Sequence, residues 1–210
     1  ITEDVVKDYT SDVSGYNVTN TYTPGKTSVP VEKVWNDKED QDGKRPGSVT
    51  VKLLADKVDT GKTLELNSTN QWKGSFEDLD EYKGGKKIEY TLEEVTVPGY
   101  TTSITKSSNG YVVTNSHTPE TTEVSGKKTW NDKEDQDGKR PKEITINLYA
   151  DGVKKDSKKV TASENWSWKF DNLAKYAKGQ LINYTITEDV VKDYTSDVSG
   201  YNVTNTYTPG

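Results

Sequence analysis

The sequence predicts an all-β protein built from tandem β-sandwich domains, and three observations carry that reading. The first is self-similarity. Residues 1–25 are identical to residues 186–210, and the segment Trp35-Asn36-Asp37-Lys38-Glu39-Asp40-Gln41-Asp42-Gly43-Lys44-Arg45-Pro46 recurs unchanged from Trp130 to Pro141, a shift of 95 residues. Similarity at a fixed shift marks a repeated structural unit. The second is alternation. Val49, Val51 and Leu53, and again Ile144, Ile146 and Leu148, recur with period 2, as strands with one buried face require. The third is punctuation: Asp42-Gly43, Asp137-Gly138 and Asp151-Gly152 mark turns between short runs, and no segment sustains a helical period.

Taken in order, residues 1–25 read as the C-terminal strands of a preceding repeat, followed by one full domain at 26–120 and a second at 121–210. Thr23-Pro24-Gly25 and Thr118-Pro119-Glu120 are the seams, short Pro-containing linkers of a semi-rigid kind. Within each domain the repeated Trp segment leads into the alternating strand. A Trp-bearing stretch follows (Trp72 and Phe76; Trp166, Trp168 and Phe170), then a Tyr-Thr-x-x-Glu strand and a closing Tyr-x-Val-Thr-Asn strand. Residues 1–25 match the second domain and differ from the first, so the repeats alternate in type with a period of 185 residues. A partial domain without its core is expected to be disordered alone. Residues 1–25 are therefore expected to be held by strand addition to a neighbouring module or to another copy of the chain.

Composition narrows the chemistry. The 210 residues suffice for two cores, but only 30% are hydrophobic, so 13 Tyr and 5 Trp must supply much of the filling. With no Cys and one His, disulfides, thiolate metal sites, a cysteine nucleophile and multi-His zinc are excluded, and a Ser-His-Asp triad is disfavoured. No metal or other cofactor is expected. A net charge of −6 with interspersed signs argues against a nucleic-acid surface. No apolar run reaches membrane-span length and no secretory leader stands at Ile1; for an exported parent, signal and anchor lie outside this stretch.

The Lys-x-Trp-Asn-Asp and Gln-Asp-Gly-Lys-Arg-Pro runs, the Tyr-Thr-x-x-Glu strand and the Thr-Asn-x-x-Thr-Pro ending together resemble the Cna-B-type domain of Gram-positive surface proteins. The paired units resemble the B-repeat stalk region of collagen adhesins. The resemblance implies an inverse immunoglobulin-like sandwich in each domain. It also implies an intramolecular isopeptide bond between a Lys on the first strand and an Asn on the last, assisted by a buried acid between them. Carried over by position, the first domain supplies Lys33, Glu94 and Asn115, and the second Lys128, Glu188 and Asn205. Glu94 is preferred to Glu93 because it lies four residues after Tyr90, as Glu188 does after Tyr184. Lys128 is preferred to Lys127, which period 2 turns to the opposite face. The triplets are spaced 61 and 21 residues apart in the first domain and 60 and 17 in the second. Residues 1–25 hold Glu3 and Asn20 but no Lys partner.

The chemistry makes sense of those residue types. An amine attacks a carboxamide only when neutral, and burial disfavours the charged form of an ammonium and of a carboxylate alike. A neutral amine beside a protonated acid can then attack an amide that the acid polarises, while the fold supplies proximity. The reaction occurs once per domain, so the chain is not an enzyme acting on outside substrates.

Other motifs carry less. Counting Gly43 as the sixth position of a calcium loop puts Lys38 at the first ligand and Val49 at the twelfth, so that pattern fails and a solvated acidic loop is expected. His117 is expected to be exposed, and Trp35 and Trp130 to belong to the core. The resemblance implies a structural spacer on the bacterial cell surface, anchored to the wall and carrying a ligand-binding region that lies outside this stretch. Its neighbours are other repeats of the same chain. The chain is expected to be monomeric, without membrane insertion, with strand exchange open to residues 1–25. The competing reading is a module that itself binds host extracellular-matrix protein.

Overall fold

The computed structural model describes residues 1–210, all as strands and turns apart from one 3-10 turn at Ala162–Glu164. The chain divides into two compact units, residues 1–36 with 45–117 and residues 37–44 with 118–210.

The first unit begins with a hairpin, β1 (Thr10–Ser14) and β2 (Asn17–Thr21), closed by Gly15 at φ 63° in the first position of a two-residue turn. Its strands pair only with each other and are exposed throughout. Of the two additions expected for residues 1–25, the one to a sheet of this chain is not seen: residues 10–21 pair only as a hairpin. The reason is occupancy, because the positions they would take are filled by the modules' own closing strands.

The sandwich of the first unit comprises β3 (Lys26–Asn36), β4 (Ser48–Ala55), β5 (Val58–Asn67), β6 (Lys73–Asp80), a small ribbon of β7 (Tyr82–Lys83) and β8 (Lys86–Lys87), then β9 (Tyr90–Glu94), β10 (Thr101–Lys106) and β11 (Tyr111–Ser116). One sheet has the order β10-β11-β3-β6 and the other β5-β4-β9. The first strand of the sandwich, β3, and the last, β11, are parallel neighbours, with Lys33 opposite Val113 and Trp35 opposite Asn115. The core between the sheets is formed by Val29, Val31, Val49, Val51, Leu53, Leu66, Phe76, Leu79, Leu92, Val97 and Val113. The predicted alternation is what one sees: Val49, Val51 and Leu53 point inward while Ser48, Thr50 and Lys52 do not.

The second unit repeats this plan. It runs β12 (Thr121–Asn131), β13 (Glu143–Ala150), β14 (Val153–Thr161), β15 (Ser167–Ala174), the ribbon β16 (Tyr176–Ala177) with β17 (Gln180–Leu181), β18 (Tyr184–Glu188), β19 (Thr195–Ser199) and β20 (Asn202–Thr206). Its sheets are β15-β12-β20-β19 and β14-β13-β18, and β12 lies parallel to β20 with Lys128 opposite Val203. Both first strands carry a register shift at matching places, between Thr27 and Val29 and between Thr122 and Val124. Gly126 lies where β12 passes closest to its neighbours: a Cβ there would stand 1.7 Å from the Tyr201 carbonyl oxygen and 2.7 Å from the Trp168 indole nitrogen.

The acidic loops are not loose. Lys38, Glu39 and Asp40, and likewise Lys133, Glu134 and Asp135, are three consecutive residues with φ between 51° and 60°, a left-handed turn that costs L-residues energy. In the second unit the cause is visible. Asp132, buried at the head of the turn, accepts the Asp135 amide at 3.1 Å and two hydrogen bonds from Arg140, at 2.6 and 3.0 Å. The Tyr194 hydroxyl donates to the same carboxylate at 2.7 Å, and the Arg140 guanidinium lies 5.2 Å from the Trp130 ring centre. The Arg140 guanidinium, foremost, holds the Asp132 carboxyl at about 2. The repeated Trp-Asn-Asp…Lys-Arg-Pro motif is thus a clamp at the end of the first strand.

Candidate functional site: a buried amine, carboxyl and amide

Inward-facing positions of β3 are Val29, Val31, Lys33 and Trp35; on β11 they are Val113 and Asn115. Because those strands are parallel neighbours, Lys33 and Asn115 lie on one face, two residues apart in register. Glu94, at the end of β9, reaches the same point from the opposite sheet. All three groups are withdrawn from water: Asn115 is 0% exposed, and the Lys33 and Glu94 side chains are each 0% exposed. The Lys33 Nζ stands 3.8 Å from Glu94 Oε2 and 3.9 Å from the centre of the Trp35 ring. Asn115 Nδ2 donates to Glu94 Oε1 at 2.7 Å. The rivals weighed from sequence, Glu93 and Lys127, are exposed.

The second unit buries the corresponding three residues, but there the close contact is between amine and carboxyl, and Asn205 Nδ2 donates to the Thr195 carbonyl at 3.5 Å. Lys128 is 2% exposed and Asn205 0%; Lys128 Nζ pairs directly with Glu188 Oε2, and the Trp130 ring centre lies 4.4 Å from that nitrogen. Burial, the largest influence, lowers the Lys128 pKa below the ordinary amine value, against the opposing pull of Glu188. In the N-terminal hairpin Asn20 Nδ2 donates to Glu3 Oε2 at 3.2 Å, so the acid–amide pair is present there with no amine.

Two features escaped the sequence reading. A hydroxyl stands behind each carboxyl: Thr102 Oγ1 donates to Glu94 Oε1 at 2.9 Å and accepts from Asn115 Nδ2 at 3.0 Å, and Ser196 Oγ donates to Glu188 Oε1 at 3.1 Å. Asn115 Oδ1 and Asn205 Oδ1 are buried without a hydrogen-bond partner. A buried carbonyl oxygen without a donor costs roughly 1–3 kcal/mol. With O and N of the Asn115 amide exchanged, its oxygen would face Glu94, where a protonated carboxyl could donate to it. His117 is half-buried rather than exposed: its Nδ1 lies 2.9 Å from the Gly99 carbonyl, and its ring packs 5.4 Å from that of Tyr100. Trp35 and Trp130 pack edge-on against Trp72 and Trp166, at the margin of each core.

Comparison with known proteins agrees with this architecture. The profile of the Cna protein B-type domain matches residues 29–116 and again 124–206. A collagen adhesin of Staphylococcus aureus is 51% identical over the whole of this chain, which spans 18% of that protein's length. The crystal structure of two B repeat units of the collagen-binding protein of S. aureus superposes with a TM-score of 0.81 at 49% identity, covering 99% of this chain and 56% of that one. A single B repeat unit of the same protein is 45% identical, covers 88% of this chain and all of its own, and has a TM-score of 0.42. With profile matches over most of its length and a relative half identical throughout, the chain belongs to the Cna protein B-type domain family.

Proposed function

We propose that this chain is a stretch of the stalk of a bacterial surface adhesin, anchored at the cell wall, whose modules lock themselves by isopeptide bonds between Lys33 and Asn115 and between Lys128 and Asn205. Domain boundaries near residues 25 and 120 complete the reading. The observation that carries it is the seclusion of an amine, a carboxyl and a carboxamide from water in both units, where an unreacted ionic group has little reason to be.

The chemistry balances within each module. One proton passes from the Lys ammonium to the Glu carboxylate, leaving a neutral amine and an acid. The amine nitrogen attacks the Asn side-chain carbon, and the acid proton goes to the carboxamide as the tetrahedral centre forms. The Nζ–Cγ bond forms, the Cγ–Nδ2 bond breaks, and ammonia leaves carrying a proton relayed from the amine through the carboxyl. Thr102 and Ser196 hold the carboxyl in place. Seclusion lowers the Lys128 pKa, which favours the first step.

The stalk role follows from repetition, from modules without a second reactive constellation, and from the S. aureus relative, an adhesin of which this chain matches a fraction. Collagen is named for that relative; ligand binding is assigned to a region outside these repeats. Intact-mass spectrometry of the purified chain is the test. Loss of two ammonia molecules from the sequence mass is expected, and the unaltered sequence mass would overturn the reading.

A further inference from the structure

Each module buries two polar atoms of opposite kind without a hydrogen-bond partner: the carboxamide oxygen of the Asn and the indole N–H of a Trp. They are Asn115 Oδ1 and Trp35 Nε1 in the first unit, and Asn205 Oδ1 and Trp130 Nε1 in the second. Each pair of residues sits in direct register on neighbouring parallel strands, Asn115 opposite Trp35 and Asn205 opposite Trp130. Such strands lie about 4.8 Å apart. The indoles also border the amines, with Lys33 Nζ 3.9 Å and Lys128 Nζ 4.4 Å from the ring centres. Neither ring is loose. Trp35 is wedged edge-on between Trp72 and Tyr100, with ring centres at 5.3 and 5.1 Å, and Trp130 between Trp166 and Tyr194, at 5.2 and 5.1 Å. A buried donor and a buried acceptor left open on facing residues, twice, mark a hydrogen bond that the resting arrangement does not make.

The remaining groups of the first site serve the other end of the amide. Glu94 Oε1 and Thr102 Oγ1 accept from Asn115 Nδ2 at 2.7 and 3.0 Å, and Nδ2 is the atom that must take a proton to leave as ammonia. Oδ1, where negative charge gathers during attack, has no donor at rest. We infer that the Nε1–H groups of Trp35 and Trp130 are the oxyanion donors of the isopeptide reaction, an assignment that rests on the reading of that reaction given above. As Lys Nζ bonds to Asn Cγ, the carbonyl π pair moves onto Oδ1, and the indole N–H donates a hydrogen bond to it without giving up its proton. As the pair returns, the Cγ–Nδ2 bond breaks, and Nδ2 leaves as ammonia with the proton supplied through the Glu carboxyl. A donor that is buried and fixed before the charge appears acts without reorganisation.

The test removes the N–H and keeps the ring. Full-length chains are assembled by peptide ligation under denaturing conditions, so that welding begins only on dilution from denaturant. One chain is native, one carries Trp35→benzothienylalanine, with sulfur in place of the N–H, and one carries Trp35→fluorotryptophan, which retains it. Digestion and mass spectrometry at timed intervals read the ammonia loss of each module, so the Lys128–Asn205 weld is an internal standard. The sulfur analogue is expected to slow the Lys33–Asn115 weld on the order of 10²-fold. It should leave the second weld at its native rate and the pH profile of the first unshifted, and the fluoro analogue should weld at close to the native rate. In the Glu94→Gln chain, where no first weld forms, the sulfur ring is expected to leave the urea midpoint of the first unit unchanged. A first weld of unaltered rate would overturn the proposal. So would a slowing that comes with a shifted pH profile or a lowered midpoint, because the ring would then act as cover for the amine or as packing. If the native chain forms both welds while the sulfur analogue matches it, only the role of Trp35 falls; if the native chain loses no ammonia, the isopeptide reading falls with it.

Discussion

At the scale of single residues, the site depends on groups that are costly to bury and are buried together. Glu94→Gln is expected to leave the first sandwich folded and its weld unmade, so the intact-mass deficit falls from two ammonia molecules to one; retention of both would dismiss Glu94 as the acid. Thr102→Val keeps the shape and removes the hydroxyl that ties Glu94 to Asn115, and is expected to slow weld formation at least several-fold in a timed refolding assay without preventing it. Asp132 gives a prediction of another kind. Its folded pKa is depressed to about 2 from an ordinary carboxyl value, so its contribution is complete above about pH 4 and is lost as pH falls toward 2. Allowing for solvent screening, it is on the order of 1–2 kcal/mol. Urea unfolding of Asp132→Asn is expected to lose that part of the acid sensitivity; an unchanged pH profile would count against the clamp.

At the scale of strands, period 2 was enough to read β4 and β13, and enough to turn Lys128 inward and Lys127 outward. The Tyr-to-Glu spacing was enough to tell the withdrawn Glu94 from the exposed Glu93. These choices depend on the local pleat, which the sequence writes directly. What stayed hidden depends on partners distant along the chain. Thr102 and Ser196 lie on exposed edge strands and look like ordinary hydroxyls until β9 and β18 deliver a carboxyl beside them. The left-handed turn at Lys133–Asp135 reads as a solvated acidic loop because its anchors, Arg140 and Tyr194, bond Asp132 only after folding. Gly126 was likewise silent. Gly126→Ala is expected to force β12 away from Tyr201 and Trp168 and to cost about 1–3 kcal/mol, seen as a lower midpoint for the second unit in thermal or urea unfolding. An unaltered midpoint would mean the strand has slack that its geometry denies.

For the molecule as a whole, the repeat told that two units of one family stand in tandem, while residues 10–21 form a hairpin that joins no sheet of this chain, where addition to a neighbouring module was one of two expectations. The parallel pairing of first and last strands matters most at this scale. On the proposal that Lys33 is joined to Asn115, tension entering along β3 would leave along β11 without loading residues 34–114. Pulling on a single molecule should therefore give no stepwise lengthening from either module, whereas the Glu94→Gln, Glu188→Gln double variant should lengthen by both. The same proposed connection would change what a protease can do. Cleavage of any exposed turn between the joined residues leaves both sides of the cut attached to one another through the side chains, so a nicked module is scarred without being severed. A fibre made this way would keep its grip on the cell through damage that parts an ordinary polypeptide.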